Sequence, residues 1–266
     1  MKKLTTLFFV ISSIALAADT QELEVFRVTA KSYAPFESVG EYQQPAWTLT
    51  RKFPSTRVYV MTPPRAVMYE KWFDIRDRQD GPAQIRMRDE FAFGLGNRLE
   101  LDLYAHTVYD GPVGNQRFGW RGFSWEVRYA LADWGKLWGN PTLYFEHKLL
   151  NGSQGIEPKL LLGDRIAGTD WIWGLNAIYE ANLSGPKESE YAATFSISKI
   201  ITKNLTLGIS AMYRYNDYDG GFSELYAGPN MQYRFNGNSH LSLEVMPRLL
   251  KDGYDSRTLL IFAWRF

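Results

Sequence analysis

From about Arg65 to its end, the chain is built of segments about ten residues long in which apolar and polar side chains alternate. Leu99, Leu101, Leu103 and Ala105 oppose Glu100, Asp102, Tyr104 and His106. Phe123, Trp125, Val127, Tyr129 and Leu131 oppose Ser124, Glu126 and Arg128. Trp171, Trp173, Leu175, Ala177 and Tyr179 repeat the pattern, as do Leu205, Leu207, Ile209, Ala211 and Tyr213, and then Leu241, Leu243 and Val245. A period of two is the signature of a β-strand with one apolar face. Turn formers divide the pattern into twelve expected strands: 65–76, 84–95, 98–109, 118–131, 141–150, 156–165, 170–183, 188–200, 204–216, 222–235, 239–250 and 257–266. Lys71, Asp89 and His147 interrupt the apolar faces.

The last strand narrows the choice of fold. Thr258, Leu260, Phe262, Trp264 and Phe266 share one face, with Arg257, Ala263 and Arg265 on the other and Leu259 and Ile261 between them. A strand that closes a barrel in an outer membrane turns such a face to lipid and places its aromatic end in the interfacial girdle. Twelve is an even number, as an up-and-down antiparallel barrel of this kind requires. If the last strand ends at the periplasm, the turns near 96–97, 132–140, 166–169, 201–203 and 236–238 are periplasmic. The loops at 77–83, 110–117, 151–155, 184–187, 217–221 and 251–256 are then extracellular and short. A soluble two-sheet sandwich would instead bury the apolar faces against each other. Long strands, apolar faces rich in Trp and Tyr, and export signals at both ends favour an all-β transmembrane barrel.

Met1-Lys2-Lys3, the apolar run Leu4–Leu16 and the small residues Ala15–Ala18 resemble a secretory signal peptide spanning 1–18, too short to cross a bilayer as a helix. Residues 19–64 form an N-terminal extension and 65–266 the barrel. The expected location is the outer membrane of a Gram-negative cell, with outer-membrane lipid as a partner and Phe266 as the mark for the barrel-assembly machinery. There are 30 Lys and Arg, 28 once Lys2 and Lys3 are removed, against 29 Asp and Glu, so nothing points to nucleic acid. The absence of Cys removes disulfides and thiolate metal sites. Mean hydropathy is −0.30, which a barrel tolerates because every second residue turns away from lipid.

The inward faces are heavily charged. Arg86, Arg88, Glu90, Glu100, Asp102, His106, Glu126, Arg128, Glu146, Lys148, Glu157, Lys159, Glu180, Arg214, Arg234, Glu244 and Arg248 are the candidate lumen or pore-lining residues, with Arg165, Glu224 and Arg257 beside them. One reading is a lumen filled by cross-strand ion pairs. The other is a polar path whose charges select a solute. His106, His147 and His240 lie on separate strands without metal-ligand spacing, so no metal or other cofactor is expected. The barrel phospholipases carry His-x-Ser-Asn-Gly around their nucleophile. Here His147-Lys148-Leu149-Leu150-Asn151-Gly152-Ser153 lacks the Ser two places after the His, and Asn-Gly-Ser is an ordinary hairpin turn. No catalytic residue is assigned.

Asp89-Glu90-Phe91-Ala92-Phe93-Gly94-Leu95-Gly96-Asn97-Arg98-Leu99-Glu100-Leu101-Asp102-Leu103-Tyr104 resembles a hairpin, roughly Glu-x-x-x-x-Gly-Leu-Thr-x-Arg-Leu-Glu-Leu-x-Leu-Tyr, of outer-membrane proteins assigned to the MetA pathway of phenol degradation or to uncharacterised barrels. Ile156-Glu157-Pro158-Lys159-Leu160-Leu161-Leu162 and Asn176-Ala177-Ile178-Tyr179-Glu180 resemble the same group, over about 84–266. The resemblance implies transport of hydrophobic aromatic compounds. Pro158, inside an expected strand, and the N-terminal extension depart from it.

Three functions fit these residues: a channel or uptake protein for small solutes, a closed structural or interaction barrel, and a lipid-modifying enzyme. Residues 19–64 interleave five prolines with Tyr33, Phe36, Trp47 and Tyr59, too apolar for a solvated tail and too broken for a helix. Lys31, Glu37, Glu41, Arg51, Lys52 and Arg57 would let this segment enter the lumen, so 40–64 are expected to contact the barrel and 19–35 to be mobile. Alternatively the segment hangs in the periplasm, where Glu24-Val25-Phe26-Arg27-Val28-Thr29-Ala30 resembles the box that contacts TonB. Trp171, Trp173, Trp264 and Phe266 are expected in the periplasmic girdle. Brominated lipids should therefore quench tryptophan fluorescence most strongly when the bromine lies near the headgroups. Strongest quenching at the bilayer centre would contradict this placement.

Overall fold

The computed structural model describes residues 33–266 except 79, 113, 186 and 218–220. Among these residues twelve strands close into an antiparallel barrel. They are β1 Val67–Asp77, β2 Gln84–Gly96, β3 Leu99–Asp110, β4 Arg117–Ala130, β5 Thr142–Leu150, β6 Ser153–Arg165, β7 Trp171–Asn182, β8 Ser189–Ile200, β9 Leu205–Asn216, β10 Phe222–Arg234, β11 Ser239–Pro247 and β12 Ser256–Arg265. Each strand pairs with its sequence neighbour. β12 returns to β1 through pairs such as Leu260 with Phe73 and Trp264 with Tyr69, so the sheet has no free edge.

The wall sorts residues by the pleat. On β12, Arg257, Leu259, Ile261 and Ala263 are buried inside, while Phe262, Trp264 and Phe266 are exposed outside. Outward Phe91, Leu103, Phe123, Leu143, Phe195, Leu207 and Ile209 are likewise exposed, and this apolar outer surface makes the fold a transmembrane barrel. Lys71 and Asp89 stand opposite each other on the outer face of β1 and β2 and pair at 2.7 Å. The Tyr69 hydroxyl donates to Asp89 at 2.6 Å, so each charge that interrupts the apolar face is neutralised locally.

Most strand limits lie within two residues of the sequence reading, and two depart from it by three. Asn151 and Gly152 have φ of 53° and 78°, a two-residue turn, so β6 begins at Ser153 and not at 156. β11 ends at Pro247, not at 250, and Arg248 therefore lies in the following loop, where its N–H meets the Asp255 carbonyl at 2.9 Å. Arg248 still bridges Tyr226 of β10, but as an isolated pair.

The segment before β1 lies inside the barrel, in the half where β2 turns into β3, the periplasmic half in the assignment above. It forms a two-residue ribbon, Ser38–Val39 against Gln44–Pro45, and a short 3₁₀ turn at Ala46–Leu49. Trp47 and Phe53, each 1 % exposed, pack on Ile172 and Ile200 of the wall. Burying each such ring contributes about 1.5–3 kcal/mol. Tyr42, Tyr59 and Val60 pack on Ala130, and Trp134, in the β4–β5 connection, stands edge-on to Trp47 at 5.6 Å and to Tyr59 at 5.3 Å.

Inward glycines make room for this segment. A Cβ on Gly94 would collide with the Pro63 carbonyl oxygen, one on Gly163 with Val58, and one on Gly174 would come within 2.8 Å of Val58. Backbone bonds from Arg65 N to Gly94 O, 2.8 Å, and from Gly94 N to Ala66 O, 3.1 Å, tie the segment to β2. Gly163→Val should therefore leave the barrel intact but displace the segment. The folded variant should keep its heat-modifiable mobility on gels while trypsin cleaves after Arg51, Lys52 and Arg57 at least tenfold faster than in wild type. Equal protection would show that these glycines do not seat the segment.

Candidate functional site

The lumen has two storeys. At the waist, three arginines meet five carboxylates. Arg51 donates to Glu70 through Nε at 2.8 Å and also through Nη2, and its Nη2 lies 3.6 Å from Glu90. Arg57 pairs with Glu90 at 2.6 Å, donates to the Tyr104 hydroxyl at 3.1 Å and lies 3.6 Å from Asp102. Arg128 pairs with Glu100 at 2.6 Å, with Glu126 at 2.7 Å and with Asp102. All eight are buried, and Glu70, Glu90, Glu100, Asp102 and Arg128 have no exposed surface. Two of the three cations come from the inserted segment; all five acids belong to the wall.

The wall also satisfies the segment's backbone. Glu100 accepts from Met61 N at 2.6 Å and Thr62 N at 3.0 Å. Asn176 accepts from Arg57 N at 2.9 Å and donates to its carbonyl at 2.6 Å, as a neighbouring strand would. His240 Nε2 accepts from Arg51 N at 3.1 Å, and Ser242 donates to the Arg51 carbonyl at 2.5 Å. Glu244 accepts from Ser55 at 3.0 Å, and Gln232 accepts from Lys52 at 2.8 Å. A buried peptide group without a partner is costly, and more so where no water can replace it. A void of about 20 Å³ remains between Arg51, Phe53, Tyr59, Met61 and Arg128, room for about one water.

Above the segment lies a cavity of about 260 Å³ whose floor is Arg51, Pro54, Ser55 and Arg57. Ten basic residues line it against six acidic ones. Several are paired: Lys148 with Glu180 at 2.8 Å and with Glu157, Lys159 with Glu157, Arg214 with Glu190 at 3.3 Å, and Arg257 and Arg76 with Asp74 at 3.0 and 2.6 Å. Arg86 donates to Gln84 at 2.6 Å, and Arg88 lies 4.0 Å from the centre of the Trp72 ring, which also has Arg51 at 4.3 Å and Arg57 at 5.8 Å. Among the described residues, no carboxylate lies within ion-pair distance of Arg86, Arg88 or Arg121.

The candidate residues thus divide by height. Glu90, Glu100, Asp102, Glu126 and Arg128 form the waist, with Glu126 reaching the cavity wall. Arg86, Arg88, His106, Glu146, Lys148, Glu157, Lys159, Glu180 and Arg214 line the cavity. Glu244 meets the segment, and Arg234 stands half-buried at the end of β10. Arg248 belongs to a loop, as corrected above, and pairs with Asp255 at 2.9 Å. Glu70, Trp72, Asp74 and Arg76 of β1 are absent from that list. Their alternation with Val67, Tyr69, Phe73 and Ile75 was available, but Lys71 obscured it. Arg121 reaches the cavity because the β3–β4 register shifts beside His106 and Thr107. The last loop also leans inward: Tyr254 packs on Met212, Tyr226 and Met246, with Arg76 at 5.4 Å from its ring.

The histidines are placed by hydrogen bonds and packing. Ser124 donates to Glu146 at 2.6 Å and lies 2.8 Å from His106 Nε2. Its proton is directed at the carboxylate, so the imidazole is not poised to take it, unlike a Ser–His nucleophile pair. His147 meets Trp125 edge-on, 5.8 Å between ring centres, outside the barrel. Among the described residues, no three His, Asp or Glu side chains gather as a metal site. The expected signal peptide, the Val25–Ala30 stretch and residues 19–32 of the expected mobile leader lie outside the described residues.

A closed twelve-stranded wall, apolar outside and charged inside, defines a transmembrane β-barrel of the outer-membrane type. Solved structures agree on the fold. The COG4313 outer membrane channel from Pseudomonas putida F1 superposes with a TM-score of 0.55 at 12% identity, covering 79% of this chain and 98% of that one. The NanC porin gives 0.52 at 11% identity over 74% and 98%, and the KdgM porin in complex with disordered oligogalacturonate 0.50 at 13% over 76% and 99%. No family model matches the sequence, and no curated protein is detectably similar to it.

The waist predicts a stability effect. Arg128→Met would leave three buried carboxylates facing one another and should cost about 3–5 kcal/mol. Arg248→Met, in the loop, should change little. Urea unfolding in lipid vesicles, followed by tryptophan fluorescence, measures both. Equal midpoints for the two variants would contradict the network.

Proposed function

We propose that the chain is an outer-membrane channel or uptake protein for small solutes rather than an enzyme. The observation that carries this reading is the charged cavity held inside a closed transmembrane wall, above a segment attached to the wall by side-chain contacts. A packed structural barrel would have little use for a cavity of about 260 Å³ in which three guanidinium groups lack carboxylate partners. The excess of basic residues favours anionic solutes entering from outside. KdgM was crystallised with oligogalacturonate, a polyanion, and its likeness in fold fits that preference. The resemblance to the MetA-pathway group adds hydrophobic or aromatic solutes.

A closed structural or interaction barrel is the second reading. The void of about 20 Å³ beside Arg128 favours it, because the segment fills its half of the lumen. For a channel, the segment has to shift or leave during passage. Contact with TonB at Val25–Ala30 would supply the force for that, and recognition of Phe266 by the barrel-assembly machinery would deliver the protein to the membrane.

Planar bilayers separate the two readings. The full chain should give small, discrete steps that favour chloride over potassium. A variant lacking residues 33–64 should conduct several-fold more and favour potassium, because Glu70, Glu90, Glu100, Asp102 and Glu126 would then face the pore with Arg128 as their cation. Silence from both forms would overturn the channel and leave the closed barrel.

A further inference from the structure

Among the described residues the ladder of the wall lapses in two places, and they are sealed differently. Between β10 and β11 the ladder lapses from Ala227 to Pro229, short of the isolated Tyr226–Arg248 bridge. Tyr226 and Met246, both buried, cover that gap from inside together with Met212 and Tyr254. Between β6 and β7 the pairs Ile156–Ala181 and Lys159–Ile178 are formed, but Glu157–Glu180 and Pro158–Tyr179 between them are not. Pro158 has no N–H to give to a ladder. Among the described residues no buried apolar cluster lies behind this gap. Its inner side carries Glu157, Lys159 and Glu180, which line the cation-rich cavity.

Outside the same gap lies a groove of about 590 Å³, within the range of small-molecule sites, whose floor and sides include Tyr129, Leu143, Phe145, Pro158, Leu160 and Tyr179. Tyr144, Lys159 and Ile178 border both the groove and the cavity, so the wall is thin here. Part of this border is polar: the Lys159 ammonium sits 4.1 Å from the centre of the Tyr144 ring and is paired with Glu157. The inserted segment blocks the way down from the cavity, which leaves the loops and this gap as its outlets.

We propose that β6 and β7 part at Pro158 to form a lateral portal, through which an amphipathic anion exchanges between the cavity and the bilayer, its charged head on the arginines and its apolar body in the groove. The proposal rests on the channel reading above and deepens it by naming a ligand class and a route. Arg86, Arg88 and Arg121 receive the head, and Arg51 and Arg57 form the floor beneath it. When Lys159 swings from Tyr144 toward the head, the two walls join. A hydrophilic anion would lack the apolar body that the groove accommodates.

The chain has no cysteine, so a bridge can be added cleanly. Directly opposed residues on antiparallel strands have Cα atoms about 4.5–5.5 Å apart, within disulfide reach. The full-length Ile156→Cys/Ala181→Cys variant joins an outward pair that the ladder retains beside the gap, so it would lock β6 to β7 without altering Pro158, the groove lining or a cavity charge. The probe is dodecanesulfonate bearing a diazirine beside its sulfonate, supplied in proteoliposomes and located by mass spectrometry after photolysis. Wild type and the reduced variant should carry the label on cavity residues, and oxidation should lower that labelling at least tenfold, with recovery on reduction. Potassium chloride conductance, measured in parallel, should not change with oxidation. Equal labelling in the oxidised and reduced forms would show entry through the loops and overturn the portal, and absence of cavity label in wild type would overturn the ligand class as well. Absence of conductance in every form would sink the channel reading alone, since the labelling does not depend on it.

Discussion

Two arginines on the inserted segment, Arg51 and Arg57, meet Glu70 and Glu90 on the wall in a space from which water is almost excluded. Most of the interior depends on that meeting. The wall contributes five carboxylates at one level and one cation, Arg128. Without the segment, like charges would face each other across a narrow lumen, a destabilising arrangement. With it, each acid has a guanidinium or a backbone N–H within reach, and the Trp72 ring is held between Arg51 and Arg88. Barrel and segment are therefore one electrostatic unit. The apolar contacts of Trp47 and Phe53 add attraction, but the charges set the register, because a guanidinium displaced by a few ångströms would leave a buried carboxylate unpaired.

That arrangement also divides the lumen chemically. Arg51 and Arg57 turn one side toward the waist and line the floor of the cavity with the other. Below them the acids are matched. Above them the balance is basic, since among the described residues Arg86, Arg88 and Arg121 have no carboxylate within ion-pair distance, although Asp74 stands opposite Arg86 in the ladder. The same two residues that close the lower half thus make the upper half attractive to anions, and the ladder of its wall lapses at Pro158.

Much of the fold was legible in the sequence because the bilayer imposes a simple rule. Every second residue of a lipid-facing strand must be apolar, and Leu99 to Ala105 or Leu205 to Tyr213 obey it plainly. Twelve strands, their order and the inward direction of Glu90, Glu100, Asp102 and Arg128 follow from it. Which inward charges meet did not follow, since cross-lumen pairs depend on the stagger of the strands and on a segment without periodicity. Arg57 and Glu90 are 33 residues apart, and nothing local announces their contact. Lys71 hid the alternation of β1 and with it Glu70, Asp74 and Arg76, because its partner Asp89 is visible only in register. Pro247 signalled the end of β11 and the loop position of Arg248, but the apolar Leu249 and Leu250 beyond it suggested a longer strand.

Arg51 and Glu70 hold segment and barrel together as a pair. A double-mutant cycle with Arg51→Met and Glu70→Gln, read from urea unfolding in vesicles, measures that coupling apart from the cost of each substitution. The expected coupling energy is about 1.5–3 kcal/mol, with the double variant more stable than the sum of the single losses implies. Additive losses, within about 0.3–0.5 kcal/mol, would contradict it and show that the segment is held by packing alone.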